Sequence, residues 1–180
     1  GTTSPNPLEQ YVWHPLYVDA PILRDYDAST SGSQVRYYYM QDANFNATTV
    51  TNSTGSVVER YHYSPYGIVT VLDASFSPVS GGASTIANPV TYTGRRFDFE
   101  SGLYYFRNRY YHAQSGAFVS RDRVAPVSGD SLYLYAGANP ANKLDPSGNA
   151  TITCNMSSAQ PKGASTGRGE DGTVTGDCQG

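Results

Sequence analysis

Hydrophobic and polar residues alternate along most of this chain in short runs, and the runs are separated by clusters of Gly, Ser, Asn and Pro. Short runs rich in Tyr, Val, Ile and Thr, bounded by such turn residues, read as strands. Tyr11 to Asp19 (YVWHPLYVD) reads as a strand interrupted near Pro15, because proline cannot donate to a ladder. Residues 25 to 34 (DYDASTSGSQ) have loop composition. VRYYYM at 35–40, ATTVT at 47–51, VVERYHY at 57–63 and IVTVL at 68–72 follow as strands. The turns between the last three fall at Asn52-Ser53-Thr54-Gly55 and Ser64-Pro65-Tyr66-Gly67.

The densest stretch runs from Thr91 to Asp122 (TYTGRRFDFESGLYYFRNRYYHAQSGAFVSRD). Tyr and Phe clusters alternate there with turns at Glu100-Ser101-Gly102 and Gln114-Ser115-Gly116, which predicts three strands with aromatic packing between them. Neighbouring residues of a strand face opposite sides, so one tyrosine of each pair should enter the core. Arg95, Arg96, Arg107 and Arg109 are expected to stack on the rings or pair with Asp98 and Glu100. LYLY at 132–135, followed by Gly137-Ala138-Asn139-Pro140, resembles the strand and turn that precede the closing motif of a known β-hairpin family, and Ala150–Cys154 reads as one more strand. No segment keeps a 3.6-residue period beyond a turn or two, so very little helix is expected.

Several of these elements, in this order and spacing, resemble the Rhs/YD-repeat family and its core domain. They are Tyr61-His62-Tyr63-Ser64-Pro65-Tyr66-Gly67, Tyr92-Thr93-Gly94-Arg95-Arg96, the SGLYY run at 101–105, Arg107-Asn108-Arg109-Tyr110-Tyr111, GAFVSRD at 116–122 and Lys143-Leu144-Asp145-Pro146-Ser147-Gly148. The resemblance covers about residues 35–148. It implies an all-β fold: a ribbon of YD-repeat β-hairpins, an open piece of a spiral β-shell, with a core-like capping region. The expected division is an arm and first strand at 1–34, hairpins at 35–72, a variable loop at 73–90, the core-like region at 91–148 and a Gly/Ser-rich tail at 149–180.

The 180 residues carry a formal net charge of −3 with only 15% charged residues. That composition argues against a nucleic-acid partner, which calls for a basic stripe. No run of 18 apolar residues exists to span a membrane. Cys154 and Cys178 lack partners at metal-ligand spacing, so no metal or cofactor is expected, and a disulfide closing the tail competes with two unrelated thiols. Asn-x-Ser/Thr acceptor sites begin at Asn46, Asn52, Asn149 and Asn155. A first residue of Gly1 suggests a processed or trimmed product, and secreted or cell-surface location is expected.

Members of the family often cut themselves near a closing Asp-Pro-x-Gly, using two aspartates. By position these are Asp122 and Asp145, with the cut near Gly148-Asn149. Arg123 and Ala125 stand where the first motif has Pro and Gly, and Asn149 stands where a Leu is expected. Those departures favour a chain that is not an enzyme, with Asp145-Pro146-Ser147-Gly148 as a turn and Asp122 ion-paired. A piece this short cannot close a shell, and a fragment of a repeat array exposes its ends. The expected function is therefore a secreted, self-associating structural scaffold, a filament or surface assembly whose partners are copies of itself or adjacent Rhs-repeat segments. Two alternatives compete: the capping fragment of a toxin-enclosing shell with aspartyl self-cleavage, and a module that binds surface glycans through outward tyrosines.

Overall fold

A computed structural model describes residues 8–27, 33–123 and 131–149, together with the backbone of three short strands beyond them. The fold is all-β, built from open antiparallel sheets, with two three-residue 3₁₀ turns at Tyr92–Gly94 and Ala136–Ala138.

Six strands follow one another as a meander: β1 Glu9–Trp13, β2 Pro21–Tyr26, β3 Val35–Gln41, β4 Ala47–Asn52, β5 Val57–Tyr63 and β6 Val69–Leu72. The strands predicted at 35–40, 47–51, 57–63 and 68–72 are all present. The first prediction needs correction: the strand ends at Trp13, residues 14–20 form a connection, and Pro21 opens a strand of its own. Proline is tolerated there because it occupies the first position of the strand. Arg24 turns inward from β2, forms an ion pair with Glu9 at 2.6 Å and lies 4.1 Å from the centre of the Tyr26 ring.

The reversals repeat one local design. In residues 42–46, 52–56, 64–68, 73–77 and 91–95, the first residue donates its N–H to the fifth residue's carbonyl and accepts from the fourth residue's N–H. The fourth residue has positive φ each time: Phe45, Gly55, Gly67, Phe76 and Gly94. In four of the five the opening side chain (Asp42, Asn52, Ser64, Asp73) also accepts the fifth residue's N–H at 2.9–3.0 Å. A short polar side chain bonding the backbone ahead of it is how Asx and Ser turns are stabilised. At Phe45 the cost of a left-handed backbone is offset by stacking on Tyr17, with ring centres 3.8 Å apart.

A second antiparallel sheet follows, in the order β10-β9-β8-β7: β7 Arg96–Asp98, β8 Leu103–Phe106, β9 Arg109–His112 and β10 Ala117–Phe118. Its register places Phe97, Tyr104, Tyr111 and Phe118 in one inward row. Tyr104 and Tyr111 are fully buried, whereas their neighbours Tyr105 and Tyr110 are exposed, as strand alternation requires. Phe106 and Tyr135 complete this core. LYLY does not become a strand: only Leu134 forms a bridge, to Ala117, and Tyr135 leads into the second 3₁₀ turn. Its ring is wanted inside the core, which takes it out of the sheet plane. A small third sheet joins β11 Lys143–Leu144 to the backbones of Ile152–Cys154, Gly167–Arg168 and Val174–Gly176.

Two buried polar networks bind these layers. Three core hydroxyls donate to successive carbonyls of the 64–68 turn: Tyr92 to Pro65 at 2.9 Å, Tyr111 to Tyr66 at 2.8 Å and Tyr104 to Gly67 at 2.8 Å. Tyrosine is used here because phenylalanine would leave those carbonyls without a donor. Burial pushes the Tyr92 hydroxyl up to about 12, so it keeps its proton and donates. In the second network the fully buried Glu59 accepts from Tyr61 at 2.5 Å, Ser84 at 2.7 Å, and both the hydroxyl and the N–H of Thr85. Asn88, also fully buried, extends it to Tyr39 and Tyr61. The loop at 73–90 is thereby latched to β5.

Candidate functional site

The predicted aspartates stand 23 positions apart in the sequence, and the fold brings them to one guanidinium. Arg109, at the start of β9 and almost fully buried, places its Nη2 at 3.0 Å from Asp122 and 3.3 Å from Asp145. Its carbon lies 3.5 Å from the centre of the Phe118 ring, which fixes the plane of the fork. Burial lowers the Arg109 pKa and the two carboxylates oppose that shift. Asp145 is buried, whereas Asp122 is the more accessible of the pair.

Asp145 also closes the turn that carries it. Its Oδ1 accepts the N–H of Gly148 at 2.8 Å, the N–H of Asn149 at 3.1 Å and the Ser147 hydroxyl at 3.3 Å. Arg109 meanwhile donates from Nε to the Gly148 carbonyl and from Nη1 to the Leu132 carbonyl. The peptide unit joining Gly148 to Asn149 is therefore held at both ends, its oxygen by Arg109 and its N–H by Asp145. Gly148 has φ +74, and a Cβ there would sit 2.3 Å from the Phe106 carbonyl oxygen. Only glycine lets the segment lie this close to β8.

Two further arginines grip the same segment. Arg95 and Arg107 both donate to the Pro146 carbonyl and both pair with Asp19, at 2.8 and 2.5 Å. Burial raises the Asp19 pKa, against the lowering influence of Arg95 and Arg107. Gly94 packs on the Asp19 backbone so closely that an added Cβ would lie 1.7 Å from its carbonyl oxygen. One aspartate from the β1–β2 connection thus joins the ribbon, the second sheet and the closing segment. The expected partners Asp98 and Glu100 take no part: Asp98 caps its own turn through Ser101 at 2.6 Å, and Arg96 meets Glu9 at 3.6 Å. Nothing in the local sequence announces Asp19, because its partners lie more than 70 residues away.

The remaining candidates fall elsewhere. Asn46 is buried, with its amide donating to Asp42 at 2.8 Å and accepting from the Thr93 N–H at 2.8 Å. Asn52 uses its side-chain oxygen in its own turn, and Asn149 lies beside the cluster. Asn155, Cys178 and the side chain of Cys154 lie outside the described residues. Among the described residues no group of His, Cys, Asp and Glu is arranged to hold a metal ion.

No family model matches the chain. It is 34% identical over 117 residues to the tRNA(Glu)-specific nuclease WapA of Bacillus subtilis subsp. natto, covering 63% of this chain and 5% of that protein. It is 30% identical over 119 residues to toxin subunit YenC2 of Yersinia entomophaga, covering 66% and 12%. The crystal structure of TcdB2-TccC3 shares the fold with a TM-score of 0.61 at 23% identity, over 78% of this chain and 7% of that one. The chain spans about one-twentieth of the first of these relatives. These likenesses support the alternative of a toxin-shell fragment more than the filament scaffold expected from the sequence.

Proposed function

We propose that this chain is a capping fragment of an Rhs-type toxin shell, in which the last hairpins of the ribbon are closed by the aromatic sheet and the segment Asp145–Gly148 is held in one fixed place. The observation that carries the reading is the grip on the closing segment. Three arginines, Arg95 of the 91–95 turn, Arg107 of the β8–β9 connection and Arg109 of β9, hold the carbonyls of Pro146 and Gly148, with Asp19, Asp122 and Asp145 as their counter-ions. A buried cluster of this kind costs desolvation, and its return is a unique geometry more than raw stability. In this role the protein is structural, secreted, and partnered by adjacent repeat segments. Light scattering with negative-stain imaging tests it. A short discrete particle fits the cap, and long regular filaments would restore the scaffold.

Self-cleavage is the second reading, and the doubly held Gly148–Asn149 peptide unit favours it. Asp122, the more accessible carboxylate, would take a proton from water as the water oxygen adds to the Gly148 carbonyl carbon. Arg109 Nε–H faces the oxygen on which negative charge develops. Collapse would break the C–N bond as Asp122 returns the proton to the Asn149 nitrogen, leaving a carboxyl end at Gly148 and a new amine at Asn149. Asp145 would position the bond. Intact mass of the purified chain decides: a mass ending near Gly148-Asn149, lost in Asp122→Asn, establishes the reaction, and an uncut wild-type chain leaves the cluster as a clamp.

A further inference from the structure

The outward row of the second sheet, Arg96, Tyr105, Tyr110 and Val119, is exposed at every position. At its Arg96–Tyr105 end it runs into a groove of roughly 660 Å³ between the sheet and the β1–β2 connection. Trp13, Leu16, Val18 and Tyr105 line that groove, and all four are exposed, Leu16 by 70% and Val18 by 60%. Isolated surface hydrophobics need no explanation, but a contiguous concave patch of them marks a binding surface. The charge around it is one-sided. Arg95, Arg96 and Arg107 line the groove against the single carboxylate of Asp19, which Arg95 and Arg107 already share. Arg96 is the most accessible of the three, and its nearest carboxylate, Glu9, is 3.6 Å away and bonded more closely to Arg24.

We infer that this groove binds an extended peptide segment in which large apolar side chains alternate with carboxylates. The apolar lining would take the large side chains, and the guanidinium of Arg96 would take an adjacent carboxylate. Leu16 and Val18 at the rim favour a peptide over a sugar, because aliphatic branches offer neither the flat stacking face nor the hydrogen bonds that a sugar ring uses. Among the described residues β1 is an edge strand of its sheet, and its outer edge lies beside the groove, where an extended segment can add. The inference is independent of the capping role.

Trp13 is the chain's only tryptophan and lines the groove, so its fluorescence reports occupancy directly. The full chain is titrated with a blocked decapeptide alternating phenylalanine and glutamate, with the same peptide carrying lysine for glutamate, and with a sialylated oligosaccharide. A saturable change with the glutamate peptide, about tenfold tighter than with the lysine peptide, is expected. Arg96→Glu should reverse that preference, and the exposed site makes the variant safe for folding, which circular dichroism checks. Equal affinity for both peptides, no change with either, a preference unmoved in Arg96→Glu, or a response to the oligosaccharide alone would each overturn the inference.

Discussion

Replacing Glu59 by glutamine and by alanine separates the worth of its charge from the worth of its acceptors. Its Oε1 faces the N–H and hydroxyl of Thr85 and, at 3.3 Å, the N–H of Ile86; its Oε2 faces the hydroxyls of Tyr61 and Ser84. Glutamine can keep its oxygen toward the two backbone donors and turn its NH₂ toward the two hydroxyls, which can rotate to accept. The loss is then the difference between charge-assisted and neutral hydrogen bonds, about 1–2 kcal/mol in total. Alanine strands the N–H groups of Thr85 and Ile86 and opens a cavity beneath the loop. At roughly 1–3 kcal/mol per orphaned buried group, with the lost packing added, the cost is about 4–6 kcal/mol. Urea unfolding followed by circular dichroism measures both, and amide exchange at Thr85 and Ile86 shows whether the loop lets go before the sheet does. The latch argument fails if the two variants lie within about 1 kcal/mol of each other, or if alanine leaves those two amides as protected as in the wild type.

Gly94→Ala and Gly55→Ala test the repeated turn: both need positive φ, but an added Cβ meets the Asp19 carbonyl at position 94 and open space at position 55. Urea midpoints should show about 1 kcal/mol lost at Gly55 and well over 3 kcal/mol, or no folding, at Gly94. Tyr104→Phe and Tyr111→Phe should each cost about 1–2 kcal/mol by leaving the Gly67 and Tyr66 carbonyls without their donors, and equal wild-type stability would refute the docking role. NMR titration should place the Asp73 carboxyl below the ordinary aspartate value, since Ser75 and Ser77 donate to it, and Asp19 above it, since it is buried. The signs then oppose. Asp73 contributes stability that is present above its unfolded value and lost as pH falls through its folded value, whereas Asp19 lowers stability as pH rises from its unfolded toward its folded value.

Much of this architecture is legible in the chain because each hairpin is local. Asn52-Ser53-Thr54-Gly55 and Ser64-Pro65-Tyr66-Gly67 show their glycine at the fourth position, so those turns are readable. The turns at 42–46 and 73–77 hide because phenylalanine holds that position, with support from Tyr17 and Arg60 that only the fold supplies. Strand β2 hides behind its leading proline and the charged pair Arg24-Asp25, which satisfy themselves on Glu9 and Arg36. Asp122 and Asp145 are recognisable by motif, but their meeting on Arg109, and the part of Asp19, depend on pairings across 36 and 88 residues. Alternation reports which side of a strand is buried; it carries no information about which distant charge waits there.

The five matching turns also bear on how such a chain comes to be folded. Each reversal is closed by backbone bonds within five consecutive residues, with a side-chain bond added in four of them, so each hairpin can set its register before anything downstream exists. Loop closure over so few residues is fast, and neighbouring strands can zip in the order in which the chain leaves the ribosome or a translocation channel. The Tyr92, Tyr104 and Tyr111 hydroxyls and the arginine grip come last in that order, joining a ribbon already made. Maturation then has a defined final step, the arrival of Asp145–Gly148 over β8, before which the long-range cluster is unformed and the closing segment is free.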